Sequence, residues 1–166
     1  MTLPRRFLSL AAIAAFGSLT PTVLHAQANS KCQTQPKTLA AMRDCYRPLL
    51  VFSPRGSEAA LRDQVKILDN DADDMMDRFV LLTPVLADTH GYQPPLDAPH
   101  AQLTSAESAT ARRRFHVPDG TFLVLLLGED GSVKLRSTAP VSTDRLNALI
   151  DTMPTRKIES QRKDAY

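Results

Sequence analysis

Three short apolar runs constrain this chain more than anything else in it: Leu49–Phe52, Phe79–Leu82 and Thr121–Leu127. None alternates with polar residues. A strand with one wet face reads apolar, polar, apolar, so an unbroken run of this length marks a strand covered on both faces. Between the first two runs, Leu61, Val65 and Leu68 recur at helical spacing, with Arg62, Asp63 and Lys66 between them. Strand, helix, strand in that order implies a parallel pair joined by a right-handed crossover.

The remaining segments extend this pattern. Lys37–Arg43 has Leu39 and Met42 three apart, as on one face of a short helix, and Ser57 is placed to cap the helix that carries Leu61. The acidic run Asp69–Asp77 ends that helix, and the second strand reaches Val85. Ala87–Leu103 contains Gly91, Pro94, Pro95 and Pro99 and reads as a long loop. Thr104-Ser105-Ala106-Glu107 fits a capping box opening a helix to Phe115. Gly128-Glu129-Asp130-Gly131 turns the third strand back into Val133–Arg136 as an antiparallel hairpin. A last helix follows Pro140-Val141-Ser142, with Leu146, Leu149 and Ile150 on its apolar face and Pro154 closing it. The expected fold is α/β: a central mixed four-stranded sheet with helices on both faces, the thioredoxin-like arrangement.

The first part of the 166-residue chain does not belong to that fold. Arg5 and Arg6 precede an apolar run, Phe7–Leu19, and Ala26-Gln27-Ala28 is a small-x-small exit, so residues 1–28 read as a secretory signal peptide cleaved near Ala26–Ala28. The run is about 13 residues, short of the ~20 that span a bilayer, and no later run is long enough to do so. Without Arg5 and Arg6 the 20 Lys+Arg fall to 18, equal to the 18 Asp+Glu. The basic balance therefore belongs to the targeting segment and gives no ground for nucleic-acid binding. The expected organisation is an N-terminal extension at 29–46, the domain at 47–156 and a loose polar tail at 157–166. The expected address is periplasmic or secreted.

Export bears on the two cysteines, Cys32 and Cys45. In an oxidising compartment an even count defaults to a disulfide, with two free thiols as the alternative. In thioredoxin-like proteins the redox cysteine sits on the loop after the first strand. Here that loop, Ser53–Ser57, holds none. Cys45 lies before the strand, roughly 25 Å from Ser53 along eight extended residues at ~3.3 Å each. A thiol there gains nothing from the helix N-terminus that lowers a catalytic cysteine's pKa.

Three blocks carry a family resemblance: RPLLVFSP at Arg47–Pro54, RRRFHVPDGTFLVLLLGEDGSVKLRS at Arg112–Ser137, and PVSTDRLNALIDTMPTR at Pro140–Arg156. The middle block resembles the strand–hairpin half of thioredoxins and peroxiredoxins. Together the three resemble the DUDES-type domain, a thioredoxin-like domain of unknown function in exported bacterial proteins and secreted sushi-repeat matrix proteins. The resemblance implies a fold and an exported setting and lends no catalytic residue. The chain departs from redox members of the wider fold at a second point as well. Gly120-Thr121 stands where Pro-Thr would precede the third strand, and Pro118 comes too early.

No catalytic residue and no cofactor is assigned from the sequence. Ser53, Arg55, Gly56 and Ser57 form a candidate anion-binding loop, because a helix N-terminus favours negative charge. Asp69-Asn70-Asp71-Ala72-Asp73-Asp74 begins like a calcium loop, but Asp74 stands where Gly is needed and Val80 where Glu is needed, so a solvated helix end is the reading. Asp88, His90, Asp97 and His100 match no zinc spacing, and no metal site is expected. Arg112-Arg113-Arg114 complement a helix C-terminus and, with Lys134 and Arg136, form a candidate partner patch; His116 is a loop residue. The function expected is a non-catalytic exported domain that binds an unknown protein or small molecule. The alternatives are a thiol oxidoreductase or peroxiredoxin-like enzyme using Cys32 and Cys45, and a small-anion or metal binder.

Overall fold

A computed structural model describes residues 32–163. The expected signal peptide lies outside them. Among the described residues no helix is long and apolar enough to cross a membrane.

The elements are α1 (Leu39–Met42), β1 (Arg47–Arg55), α2 (Ala59–Asn70), α3 (Ala72–Asp77), β2 (Val80–Asp88), α4 (Ser105–Phe115), β3 (Leu123–Leu127), β4 (Val133–Ser137), α5 (Thr143–Ile150) and α6 (Pro154–Lys163). The strands form one mixed sheet in the order β2-β1-β3-β4. β1 pairs with β2 in parallel, Leu49 opposite Leu82, and with β3 antiparallel, Val51 opposite Val124. β3 and β4 close the hairpin, Leu126 opposite Leu135. This is the expected α/β architecture.

The unbroken apolar runs are explained by what each face of the sheet meets. Successive side chains leave a strand on opposite faces. Leu49, Val51, Val80, Leu82, Val124 and Leu126 face a layer made by α2, α3 and α5, where Leu61, Leu68, Met75, Leu146 and Ile150 are buried. Leu50, Phe52, Leu81, Val85, Leu123 and Leu125 face α1 and α4, where Met42, Ala111 and Phe115 are buried. With a core on each side, the middle of β1, β2 and β3 is apolar but for Thr83, whose hydroxyl donates to the Leu81 carbonyl, and the edge strand β4 keeps Lys134 and Arg136 exposed.

Several boundaries differ from the sequence reading. Phe79 has φ 52° and is 44% exposed, so the second strand starts one residue later, at Val80, and runs on to Asp88. The acidic run keeps Asn70, Asp71 and Asp73 exposed but does not stop the helical pattern. It supplies the last residues of α2 and the whole of α3, and Asp74 and Asp77 pair with Arg78. Thr104 caps α4 as expected, its hydroxyl accepting from the Glu107 N–H, but the Glu107 carboxylate accepts from Leu39 N–H at 3.0 Å and so ties α1 to α4. Pro154 closes α5 and also opens α6, as a first-turn proline can. The polar tail is thus helical as far as Lys163 rather than loose. Glu159 in that tail pairs with Arg47 and with Arg156, the residue just before the tail, which also pairs with Asp77.

Candidate functional site

β1 has two ends of very different chemistry. At the carboxyl end the strand runs past Phe52 to Arg55, so Ser53 and Arg55 are strand residues and not loop residues. Ser53 is buried and its hydroxyl donates to the Arg55 carbonyl at 2.8 Å. The Gly56 N–H donates to the Asp88 carbonyl at 2.8 Å. A Cβ at Gly56 would lie 2.5 Å from the Tyr92 amide nitrogen, so only glycine closes this corner. Ser57 is not the cap of α2. Glu58 occupies that position without a side-chain cap bond, and Ser57 is exposed, its carbonyl accepting from the Arg62 guanidinium. The Arg55 guanidinium, 3.6 Å from the Glu58 carboxylate, already faces an anion supplied by the chain. The four residues of the candidate anion loop therefore sit in succession at one corner, with Ser53 turned inward and Arg55 engaged.

Arg112 fills the space beside that corner. It lies on the face of α4 that carries Ala111 and Phe115, and is buried with them. Its guanidinium donates to the carbonyls of Ser53 (2.9 Å), Val85 (2.8 Å) and Pro118 (3.1 Å), joining β1, β2 and the loop before β3. It also lies 5.7 Å from the centre of the Phe52 ring. Arg113 and Arg114 stay outside, as expected of a helix end. Arg114 reaches the hairpin turn, donating to the Gly131 carbonyl at 3.0 Å. His116 takes a left-handed conformation, φ 55°, and closes the helix. The run of three arginines is therefore not one patch. The clue to Arg112 was its position three residues before Phe115, on the buried face.

At the amino end of β1, Cys32 and Cys45 are joined in a disulfide, with Cα atoms 5.6 Å apart. Tyr46 donates to the Gln33 carbonyl at 2.8 Å, holding the extension against the strand entry. Two residues on, Arg47 is wholly buried. It pairs with Glu129 at 3.0 Å and Glu159 at 2.9 Å, and donates to the Arg78 carbonyl and the Thr155 hydroxyl, both at 2.8 Å. Burial holds the Glu129 carboxyl above its usual range and Glu159 adds to this, against the pull of Arg47. Sequence reading passed over Arg47 because nothing in its neighbours marks an arginine as interior.

The long loop has its own anchor. The Asp69 carboxylate accepts from the N–H groups of Leu96, Asp97 and Ala98 at 2.9–3.1 Å. Burial pushes its pKa up, but these three bonds and the charge of His100 outweigh that and leave it below the usual value. Tyr92 packs nearby with its hydroxyl buried, and burial beside Asp69 pushes its pKa up to about 12. His90 donates its N–H to Asp88 at 2.9 Å and the His100 ring faces the Ala98 carbonyl at 3.2 Å, so both serve loop shape. Among the described residues no three metal-ligating side chains come together.

The fold is shared with solved peroxidases. Thioredoxin peroxidase I of Plasmodium yoelii is similar over 72% of this chain and 79% of its own, at 16% identity and TM-score 0.52. The reduced 2-Cys peroxiredoxin of Plasmodium vivax is similar over 77% and 85%, at 16% identity and TM-score 0.51. At such identity the likeness is one of thioredoxin-like fold alone. No curated protein matches the chain in sequence. A family model does, over residues 38–159, a span from the capping threonine of α1 to the Glu159 that pairs with Arg47, and the chain accordingly belongs to DUF4174, a domain of unknown function.

Proposed function

We propose that this protein is an exported thioredoxin-like domain of the DUDES type that binds a partner in the periplasm or outside the cell and carries out no thiol chemistry. One observation supports the reading above others. Both sulfurs are bonded to each other at the amino end of β1, while the corner where the fold keeps its reactive cysteine holds Ser53–Ser57 and the guanidinium of Arg112. The two ends are roughly 25 Å apart at ~3.3 Å per extended residue. A hydroxyl at that corner does not exchange with disulfides. The disulfide also agrees with an oxidising compartment, and surface loops on a rigid sheet suit recognition.

Thiol titration together with reductase and peroxidase assays on the wild type and Cys45→Ser tests this. The expected result is no turnover by either protein and no free thiol in the wild type. Turnover that the Cys45→Ser change abolishes would establish the rival reading, an oxidoreductase using Cys32 and Cys45. The N-terminal residue of the protein recovered from the periplasm or medium should follow Ala26–Ala28.

A further inference from the structure

Among the described residues three arginines are buried: Arg47, Arg112 and Arg156. A cation removed from water needs an anion close by. Arg47 has Glu129 and Glu159. Arg156 has Asp77, Asp151 and Glu159. Arg112 has only Asp119, 3.5 Å from its Nε, and that carboxylate is on a side chain 81% exposed. Its other partners are neutral carbonyls. Among the described residues Nε of Arg112 is buried without a hydrogen bond, as is Nε of Arg47, so what sets Arg112 apart is the lack of a buried carboxylate beside it. Burial draws the pKa of Arg112 down, and Asp119 only partly restores it.

Arg112 and Asp119 border a groove of about 400 Å³ between the outer edge of β2 and the first turns of α4. Among the described residues Arg112 is the only cation lining it. The rest is apolar, such as Leu86 and Leu103, or neutral and polar, such as Gln102 and Ser108. Both hydrogens of one terminal nitrogen of Arg112 are already given to the Ser53 and Val85 carbonyls, and a lone cation with so little left to donate suits a singly charged carboxylate better than a doubly charged phosphate.

The groove runs along an open sheet edge. At Leu82 the outward backbone groups are taken by the chain itself: the Leu82 N–H donates to the Pro99 carbonyl and the Ala101 N–H to the Leu82 carbonyl, both at 2.9 Å. That pairing is a single parallel bridge. By the two-residue period of a strand, Pro84 and Leu86 face the same way, Leu86 with both its N–H and its carbonyl and Pro84 with its carbonyl alone, since proline has no N–H. Among the described residues no segment pairs with them on that side. A second groove, of about 830 Å³, shares Pro84, Tyr92 and Leu103 with the first and lengthens the channel.

We propose that this groove takes the C-terminal end of an extended peptide, which adds to the open edge of β2 while its terminal carboxylate displaces Asp119 from Arg112. Main-chain bonds along the edge supply affinity without demanding a sequence, and the carboxylate sets the register. The proposal rests on the reading of this protein as a binding domain and names the class of partner.

The test uses two pools of fluorescent random hexapeptides, identical except that one ends in a free carboxylate and the other in an amide. Retention of the free acids by the intact protein is expected, with amides weaker by about tenfold or more, the worth of a hydrogen bond to a charged group. Asp119→Asn, at an exposed site, should tighten binding of the acids by removing the competitor. Arg112→Lys should weaken it by about tenfold, and its circular dichroism melt reports whether it folds; if it does not, Asp119→Asn decides. Equal retention of acids and amides, retention of neither pool, or weakening by Asp119→Asn would overturn the proposal. So would competition by inorganic phosphate that acetate does not match. None of these results involves the thiols, so their failure leaves the absence of turnover standing as a separate finding.

Discussion

Arg47 and Arg112 stand at the two ends of β1, and comparing them shows how little residue type says about role. Arg47 is wholly buried and paired with two carboxylates, with further bonds to Thr155 and the Arg78 carbonyl. Its charge is matched by two carboxylates although its Nε has no acceptor, so removing it leaves Glu129 and Glu159 facing each other without a cation. Arg47→Met should destabilise the protein by about 3–5 kcal/mol, the cost of breaking a buried ion pair from one side. Urea unfolding measures it, and a loss below about 1 kcal/mol would mean that the cluster is solvated, as surface pairs are. Arg47 carried no sign of an interior role, and Arg112 only its place three residues before Phe115. Arg47 precedes an apolar run and Arg112 opens a run of three basic residues, and both positions are ordinary ones for exposed charge. Apart from Pro118 and Asp119, which are close to Arg112 in the chain, the partners that bury them lie 27 to 112 residues away in sequence.

At the scale of elements, those that rest on local rules were readable and those that rest on distant partners were not. Thr104 and Ser142 cap their helices by bonds to the third residue on, Glu107 and Arg145. Gly131, with φ 73°, turns the hairpin where the Gly-Glu-Asp-Gly stretch predicts it. By contrast, α6 looked like a loose tail because its stripe is charged. It is held by Arg47 and Asp77, which no local window contains. The long loop shows the same dependence. Its ordered part hangs on Asp69, from the far end of α2, and Asp69→Asn should raise amide exchange at Leu96–Ala98 while leaving the sheet unchanged. The pH dependence follows in sign. The folded-state pKa lies below the ordinary 3.8, so the stabilisation is complete above that value and is lost as the pH falls through the folded one, below about pH 4. Exchange at these three amides should therefore rise on acidification and stay flat between neutral pH and about 5. A rise between pH 7 and 5 would point to a histidine instead.

For the whole molecule, the sheet divides two cores and separates two poles. One pole holds the disulfide and the ion cluster, the other the Gly56 corner and Arg112. The disulfide closes a loop of 13 residues, so its reduction should lower stability by about 3 kcal/mol. It should shift the melting midpoint and leave the sheet's far-ultraviolet signature intact below it. Collapse of the sheet on reduction would assign the bridge a larger part than clasping the extension to the strand entry. The sequence by itself determined the order of strands and helices, the two covered faces of the sheet and the cysteine-free corner, because hydrophobic period and turn chemistry act over a few residues. Only the tertiary structure decided which charges are interior, that the tail is a helix, and that one buried guanidinium is left half-matched beside an open edge. Desolvation depends on everything packed around a group, and that surrounding is assembled from parts of the chain that no local pattern brings together.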